Sequence, residues 1–163
     1  MKEHTYMDRG SYEEADVREG LESTLTILGH KLKGATVTRD YEEGLPRIWA
    51  RGGELNQVWL NLLDNAADAA DGRGRIGVRA YQDGDVVAVE ISDDGPGIPR
   101  EVRGRVFEPF FTTKQIGEGT GLGLDIVRRI VTGHGGEVAF DSEPGDTRFV
   151  VRLPAERIAG EGG

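Results

Sequence analysis

The chain has 163 residues, the size of one ordinary domain that can bury a hydrophobic core without cross-links. It has no cysteine, which excludes disulfides and thiolate metal sites, and no apolar run approaches the length of a membrane span. The formal net charge of −9, from 20 basic and 29 acidic residues, disfavours nonspecific binding to nucleic acid or to an anionic membrane. Because the N-terminus also lacks the apolar core of a signal peptide, we expect a cytoplasmic protein.

The first half of the chain predicts two amphipathic helices and two strands. Residues 1–15 are polar and aperiodic, which predicts a tail or the end of an element that begins upstream. Asp16 is typical of an N-cap, and the helix after it is expected to reach Leu32. Residues 35–41 and 45–50 are expected to be strands, and residues 54–70 a second helix. Its apolar face consists of Leu55, Val58, Trp59, Leu62, Leu63, Ala66 and Ala70.

The second half predicts two strand pairs separated by a loop and a helix. Strands are expected over 75–81 and 86–92, an irregular segment over 98–119, a third helix over 122–132, and strands over 137–142 and 147–153. Residues 155–163 are expected to be a flexible C-terminal tail. This order is not the alternation of a doubly wound sheet. It predicts one α/β domain over 16–154, a two-layer sandwich with helices on one face of a mixed, mostly antiparallel sheet.

The polar face of the second helix carries Gln57, Asn61, Asn65 and Asp68. Asn61 and Asn65 are one turn apart and therefore share a face. A solvated polar face would explain such residues, but asparagine is a poor helix former, so two of them carry a local cost. Each offers a neutral amide oxygen, which is a suitable ligand for a hard cation such as Mg²⁺. The helix alone leaves both interpretations open.

Two glycine-rich segments are candidates for close contact with a ligand. Asp93-Asp94-Gly95-Pro96-Gly97 directly follows a strand, and a carboxylate at a strand end can accept a hydrogen bond from an exocyclic amine. Residues 117–124 read Gly-Glu-Gly-Thr-Gly-Leu-Gly-Leu and open the third helix, where backbone N–H groups can bind phosphate. This segment is neither a Walker loop nor a dinucleotide fingerprint. An ordinary turn and a flexible loop are the alternatives.

Between these segments, Phe107-Glu108-Pro109-Phe110-Phe111-Thr112-Thr113-Lys114 carries three aromatic residues and one lysine. Phenylalanines in such a segment are more often core packing than function, and here they could bury the base of a mobile lid. Lys114 could then reach a terminal phosphate as a point charge, while the two threonines add hydroxyl contacts.

In order along the chain, these segments resemble the N, G1, F and G2 boxes of the catalytic ATP-binding domain of bacterial sensor histidine kinases. The boxes correspond to residues 61–66, 93–97, 107–111 and 119–124. The family belongs to the superfamily shared with gyrase, Hsp90 and MutL, and the resemblance covers roughly residues 50–154. It includes His134-Gly135-Gly136 and the closing segment Gly145-Asp146-Thr147-Arg148-Phe149.

The resemblance implies a Bergerat-type sandwich that binds Mg-ATP under a lid spanning about residues 99–119. It places Asn65 as the Mg²⁺ ligand, Asn61 beside phosphate and metal, and Asp93 on the adenine amino group. Catalytic roles fall to Asn61 and Lys114. The other predicted cofactor contacts are Asp68, Gly95, Gly97, Ile98, Thr112, Thr113, Lys114, Gly119, Thr120, Gly121, Leu122, Gly123, Leu124 and Thr147. Many kinases of this family carry a basic residue at the position of Asp68, so the chain departs from the family there.

The chain shows no phosphoacceptor histidine in the expected setting. Its histidines are His4, His30 and His134, and none is followed by an acidic residue on a long upstream helix. Residues 1–15 could be the stub of a dimerisation helix. The resemblance therefore implies a monomeric catalytic domain whose partners are a separate histidine-bearing dimerisation domain and, through it, a response regulator. Neither nucleic acid nor direct membrane contact is expected.

Two other functions remain open. One is a stand-alone ATPase or an anti-sigma-type serine kinase, and the other is a nucleotide-binding module without chemistry. Hydrolytic relatives carry a glutamate four residues before the metal asparagine, where this chain has Asn61, and an amide cannot take a proton at neutral pH. A neutral imidazole acceptor is already a nucleophile, so Asn61 favours a histidine kinase. Asp64 and Asp68 remain possible substitute bases.

Overall fold

The computed structural model describes residues 11–71, 73–109 and 123–155. Within them the chain forms seven strands, three α-helices and one 3-10 helix. In chain order they are β1 (Glu13–Ala15), α1 (Val17–Ile27), β2 (Thr36–Tyr41), β3 (Ile48–Ala50), α2 (Gly52–Ala69), β4 (Arg75–Asp83), β5 (Val86–Asp93), the 3-10 helix (Arg100–Arg105), α3 (Gly123–Gly133), β6 (Glu137–Glu143) and β7 (Asp146–Pro154).

Five strands form the main sheet, in the order β2-β4-β5-β7-β6. The β2–β4 pair is parallel and the three other pairs are antiparallel, so the predicted mixed, mostly antiparallel sheet is confirmed. The β4–β5 and β6–β7 pairs are hairpins that turn at Gly84 and Gly145, both with positive φ (66° and 89°). Glycine adopts this conformation without the steric penalty of a side chain.

One face of the sheet is buried under the helices. Along β4, β5 and β7 the inward-facing positions are mostly apolar, and the charged residues other than Asp93 lie at outward-facing positions, as expected for a half-buried sheet. α2 is the central helix, because it contacts α1, α3 and β5. Its predicted apolar face is confirmed as buried, and it joins the sheet in one continuous core. The predicted two-layer α/β sandwich is therefore confirmed.

The opposite face of the sheet carries a network of charged and polar side chains. Glu90 lies at its centre, where the Tyr81 hydroxyl donates to Glu90 at 2.9 Å and the Arg79 guanidinium lies 3.5 Å away. Arg148 approaches the same carboxylate at 3.9 Å. Such a network is typical of a solvated sheet face.

The start of α1 agrees with the sequence prediction, but its end does not. Asp16 is the N-cap and accepts a hydrogen bond from the Arg18 N–H at 2.9 Å. The helix stops at Ile27 instead of Leu32, and turns follow. Gly29 directly follows the C-cap Leu28, and glycine costs about 1 kcal/mol more than alanine inside a helix, so it favours an end at this position. Leu32 still reaches the core from the turn, with 7% of its surface exposed.

The segment before α1 also differs from the prediction of a polar tail. Residues 13–15 form β1, which pairs antiparallel with β3 in a separate two-stranded sheet. Three residues are too few for an alternating pattern to be recognised, and the pairing partner lies more than thirty residues away. At the other end, Ala155 bridges to Ile48 of β3. Residues 1–10 and 156–163 lie outside the described residues.

Candidate functional site

Three buried polar side chains meet at one end of the main sheet. In the described part of the chain the buried polar residues are Thr24, Asp93, Ser142 and Thr147. The Thr24 hydroxyl donates to the Gly20 carbonyl of its own helix. The other three lie side by side in the strand register, with Asp93 opposite Thr147 and Thr147 opposite Ser142. Because burying polar groups is costly, such a cluster on the helix side of the sheet indicates a binding site.

Asp93 is a buried carboxylate without a cationic partner. It is 7% exposed, and its Oδ1 accepts a hydrogen bond from the Gly95 N–H at 2.9 Å. No lysine or arginine among the described residues forms a salt bridge with it. Burial raises the pKa of Asp93; the Gly95 hydrogen bond acts in the opposite direction, and the charges of Asp94 and Asp146 add to the rise. A strong acceptor is thus held in place and left available to a ligand.

The loop after Asp93 is pressed between α2 and the β6–β7 turn. A Cβ on Gly95 would lie 2.4 Å from the Ala69 carbonyl oxygen, and Gly97 has a φ of +93°. The Gly145 N–H donates to the Gly95 carbonyl at 2.8 Å. Since Ala69 lies one helical turn beyond Asn65, this loop and Asn65 share the same end of α2. Only glycine fits at both loop positions.

Asn61 and Asn65 differ in how their amides are used. Asn61 Nδ2 donates to the Gly123 carbonyl at 3.1 Å, and Asn61 Oδ1 accepts from Gln57 Nε2 at 2.8 Å. Asn61 therefore joins α2 to the first residue of α3. The half-buried Asn65 side chain, one turn further on, forms no hydrogen bond with any described residue. Its amide oxygen remains available as a ligand for a hard cation, which fits the predicted Mg²⁺ site.

Asp68 and Asp64 both pair with a lysine that follows α1. Lys31 Nζ lies 2.5 Å from Asp64 Oδ1 and 2.6 Å from Asp68 Oδ1. Burial acts to lower the pKa of Lys31, but the hydrogen bonds and charges of these two carboxylates together raise it. Asp68 was predicted as a cofactor contact, and the structure places its carboxylate in this ion pair. The cation comes from a residue 33 positions from Asp64, which the sequence pattern did not reveal.

The segment after Ile98 is anchored to the same sheet end by polar contacts. The Ile98 N–H donates to Ser142 Oγ at 2.7 Å, and Ser142 Oγ lies 2.7 Å from Thr147 Oγ1. Arg103 of the 3-10 helix donates to the Ile98 carbonyl at 3.0 Å and to the Ser142 carbonyl at 2.5 Å. Ser142 and Arg103 are not among the site residues predicted from the sequence. Ser142 follows Val138 and Phe140 at alternating positions of β6, so the strand pattern predicts that it faces inward. A polar residue at an inward position was the feature by which Ser142 could have been recognised.

Aromatic packing holds the same segment further along the chain. Phe107 packs edge-to-face against Phe140 at 5.9 Å and Phe149 at 6.4 Å between ring centroids. Arg128 of α3 lies over the Phe107 ring at 5.5 Å. Leu124 and Ile98, both predicted as cofactor contacts, are partly buried against the core. The predicted residues Thr112, Thr113, Lys114, Gly119, Thr120, Gly121 and Leu122, together with Phe110 and Phe111, lie outside the described residues.

His134 has a structural role in the described chain. Its Nδ1 contacts the Ile130 carbonyl at 2.8 Å, while its Nε2 accepts a hydrogen bond from the Arg51 N–H at 3.1 Å. The ring therefore joins the end of α3 to the N-cap of α2 with both nitrogens engaged. A histidine with no free nitrogen is a poor nucleophile.

Comparison with known proteins agrees with this geometry. Residues 51–157 match the family described as histidine kinase-, DNA gyrase B-, and HSP90-like ATPase. The chain belongs to this family. Its curated relatives include the sensory histidine kinase/phosphatase NtrB of Rhodobacter capsulatus, which is 38% identical over 131 residues, 72% of this chain and 36% of NtrB. The chain spans about a third of the length of such relatives.

Solved members of the family share the fold. The nucleotide-free catalytic domain of histidine kinase ThkA has a TM-score of 0.81 at 27% identity, over 90% of this chain and 99% of that domain. ThkA in complex with the response regulator protein TrrA matches with a TM-score of 0.76 at 26% identity, over 88% of this chain and 42% of ThkA. Full-length ShkA in complex with AMPPNP has a TM-score of 0.79 at 30% identity, over 91% of this chain and 32% of ShkA. The relatives are thus sensor histidine kinases, and the solved structures contain histidine kinase catalytic domains.

None of the helices within the described ranges has the length and apolar character needed to cross a membrane.

Proposed function

We propose that this chain is the phosphate-donor domain of a two-component sensor kinase. It binds Mg-ATP and transfers the γ-phosphoryl group to a histidine on a separate dimerisation domain. The observation that carries the proposal is the buried pair of Asp93 and Thr147 on neighbouring strands, next to the helix end that bears Asn65. Family membership supplies the reaction class.

The sheet end is the proposed site for the adenine base. Asp93 can accept a hydrogen bond from the exocyclic amine, and its charge makes that bond stronger than one between neutral groups. The glycines at 95 and 97 let the loop approach the flat ring closely. Thr147, directly opposite Asp93 in the register, faces the same space. The complex of the related ShkA with AMPPNP supports a nucleotide at this fold.

The other end of the site is proposed to hold the triphosphate and Mg²⁺. Asn65 supplies an amide oxygen that makes no other hydrogen bond with described residues. Asn61 fixes the carbonyl of Gly123, where the glycine-rich segment 117–124 enters α3. We propose that this segment offers backbone N–H groups to the phosphates and that Lys114 and the threonines at 112 and 113 contact the terminal phosphate. The metal, when bound, neutralises charge that develops on the transferred group.

Two features favour transfer to histidine over hydrolysis. Asn61 occupies the position from which a carboxylate would activate water, and its amide cannot accept a proton. Asp64 and Asp68, the possible substitute bases, are each within 2.6 Å of Lys31 Nζ, so one oxygen of each carboxylate is already engaged in an ion pair.

The phosphoacceptor would lie on a separate dimerisation domain. Of the histidines in the described residues, His134 is engaged at both nitrogens and His30 is exposed in a turn without an acidic neighbour; His4 lies outside the described residues. A response regulator would receive the phosphoryl group from that histidine, in line with the complex of ThkA with TrrA. We place the domain in the cytoplasm, where ATP is available, and expect the isolated chain to be monomeric.

Incubation of the chain with γ-labelled ATP and Mg²⁺, with and without an added histidine-helix domain, tests this proposal. We expect acid-labile label on the histidine of the added domain and little phosphate release from the chain alone. A matched control replaces the histidine of the added domain by glutamine. Phosphate release by the chain alone, without transfer, would contradict the proposal and support a stand-alone ATPase. Binding of ATP with neither outcome would leave a nucleotide-binding module.

A further inference from the structure

Ser142 is a buried serine with several polar contacts beside the proposed base site. It is 7% exposed and contacts three separate parts of the chain. Its hydroxyl accepts from the Ile98 N–H and lies 2.7 Å from the Thr147 hydroxyl, and its carbonyl accepts from Arg103. Burying a hydroxyl costs free energy that an alanine at the same position would not cost. These polar contacts therefore indicate that the Ser142 hydroxyl has a role beyond packing.

The number of protons available to the Ser142 hydroxyl determines which residue donates in the hydrogen bond between Ser142 and Thr147. A serine hydroxyl has one proton and two lone pairs, and one lone pair of Ser142 Oγ already receives the Ile98 N–H. If Thr147 also donated to Ser142, the Ser142 proton would have no acceptor within the described chain. A buried donor without an acceptor is unfavourable. The reverse direction, in which Ser142 donates to Thr147, satisfies every Ser142 atom.

This direction leaves the Thr147 hydroxyl proton without an acceptor among the described residues. No hydrogen bond joins Thr147 to Asp93 in the described residues, and Asp93 Oδ1 is occupied by the Gly95 N–H. Directly opposed residues of an antiparallel pair have Cβ atoms about 4.5–5.5 Å apart, so Asp93 and Thr147 present neighbouring groups to one ligand. This end of the sheet therefore offers a ligand the Asp93 carboxylate as an acceptor next to the Thr147 hydroxyl as a donor.

We propose that Ser142 is a positioning residue that directs the Thr147 hydroxyl proton toward N1 of the adenine ring. The adenine edge carries an amino donor beside the N1 acceptor, which complements an acceptor beside a donor. Donation by Ser142 holds the Thr147 hydroxyl in one rotamer and polarises it, so its own bond to the base is stronger. A guanine edge has the opposite polarity at both positions and would leave a buried donor without a partner. The inference rests on the proposed ATP binding and adds a residue that determines its base specificity.

The test measures the affinity of the 163-residue chain for ATP and for 1-deaza-ATP, in which N1 is replaced by CH. The ratio of the two dissociation constants reports the N1 contact alone, because both ligands share every other group. We expect a ratio of about ten for the wild-type chain, the effect of one hydrogen bond. Thr147→Val, which removes the hydroxyl and keeps the shape, should reduce the ratio to about one.

Ser142→Ala should reduce the ratio to about three, because Thr147 keeps its proton but loses its fixed direction. Any shift of the Ile98 loop in this variant lowers the affinity of both ligands together and leaves the ratio unaffected. Ser92→Ala is the matched control, since Ser92 lies one residue before Asp93 on the opposite face of β5 and should keep the wild-type ratio. If Ser142→Ala fails to fold, Ser142→Cys replaces it, because a thiol of similar size is a weak donor.

The outcomes separate the inference from the proposed function. A wild-type ratio of about one, or an unchanged ratio in a folded Ser142 variant, would overturn the role of Ser142 while ATP binding stands. Failure of the wild-type chain to bind ATP at all would overturn the proposed function itself. A ratio that falls in both the Thr147 and the Ser142 variants, but not in Ser92→Ala, supports the inference.

Discussion

Replacement of Asp93 by asparagine should separate ATP binding from stability. Asp93 Oδ1 accepts the Gly95 N–H at 2.9 Å, and the asparagine carbonyl can keep that bond. The amide NH₂ then takes the place of the second carboxylate oxygen, so a donor meets the exocyclic amine of the base. Losing a hydrogen bond to a charged acceptor and leaving a donor unpaired costs about 2–4 kcal/mol. We therefore expect the dissociation constant for ATP to rise roughly 30- to 700-fold.

The same substitution should stabilise the free chain at neutral pH. Burial raises the pKa of Asp93 above its ordinary value of 3.8, so the folded chain binds that proton more tightly than the unfolded chain. The contribution of Asp93 to the unfolding free energy consequently falls as pH rises from 3.8 through the raised value, and at pH 7 the charge is destabilising. Asp93→Asn should unfold at higher denaturant concentration than wild type at pH 7, and its advantage should shrink on acidification.

Isothermal titration with Mg-ATP and urea unfolding between pH 4 and pH 8 measure the two effects. Asp85→Asn is the matched control, because Asp85 is an exposed aspartate in the turn at the other end of β5. It should bind ATP like wild type. If Asp93→Asn bound ATP within about threefold of wild type, the assignment of this sheet end to the base would be refuted.

Three further variants test the rest of the site. Asn65→Ala should remove most of the Mg²⁺ dependence of ATP affinity, measured with and without chelator; a dependence equal to wild type would contradict the metal assignment. Lys31→Met should lower the unfolding free energy by less than about 1 kcal/mol, because the Lys31 side chain is 39% exposed. The same variant should also bind ATP more weakly, because Asp64 and Asp68 lose their cation and their negative charges then repel the phosphates; this effect should be larger at low salt than at high salt. Affinity unchanged at low salt would argue against that effect. Gly97→Ala should lower the free energy of unfolding in urea by about 1–2 kcal/mol, because Gly97 has a φ of +93° and an added Cβ would lie 3.0 Å from the backbone of Glu143, the last residue of β6. Wild-type stability in this variant would show that the loop is free to relax.

The sequence revealed those parts of the fold that depend on local patterns. α2 was predicted within two residues because its apolar face recurs over 18 residues, and the two hairpins because Gly84 and Gly145 mark their turns. β1 was missed because three residues carry no period. The end of α1 was placed too late because the apolar stripe continues to Leu32 although the backbone leaves the helix near Gly29.

The placement of the candidate site residues could be predicted where they lie in one segment. Asp93, Gly95 and Gly97 form one loop, and Asn61 and Asn65 share one helix face, so their types and spacing were informative. Ser142 and Lys31 were not found, because their roles depend on partners distant in sequence: Ile98 is 44 positions from Ser142, and Asp64 is 33 positions from Lys31. Register between strands and packing between helices create such pairs, and neither can be read from a single segment.

A crystal structure of the chain with Mg²⁺ and a non-hydrolysable ATP analogue is the most direct test of this account. It should show the exocyclic amine of adenine within hydrogen-bond distance of the Asp93 carboxylate, the ring edge beside Thr147, and Mg²⁺ coordinated by the Asn65 amide oxygen. A nucleotide bound elsewhere, or a base in this site with Asp93 directed away from it, would contradict the account.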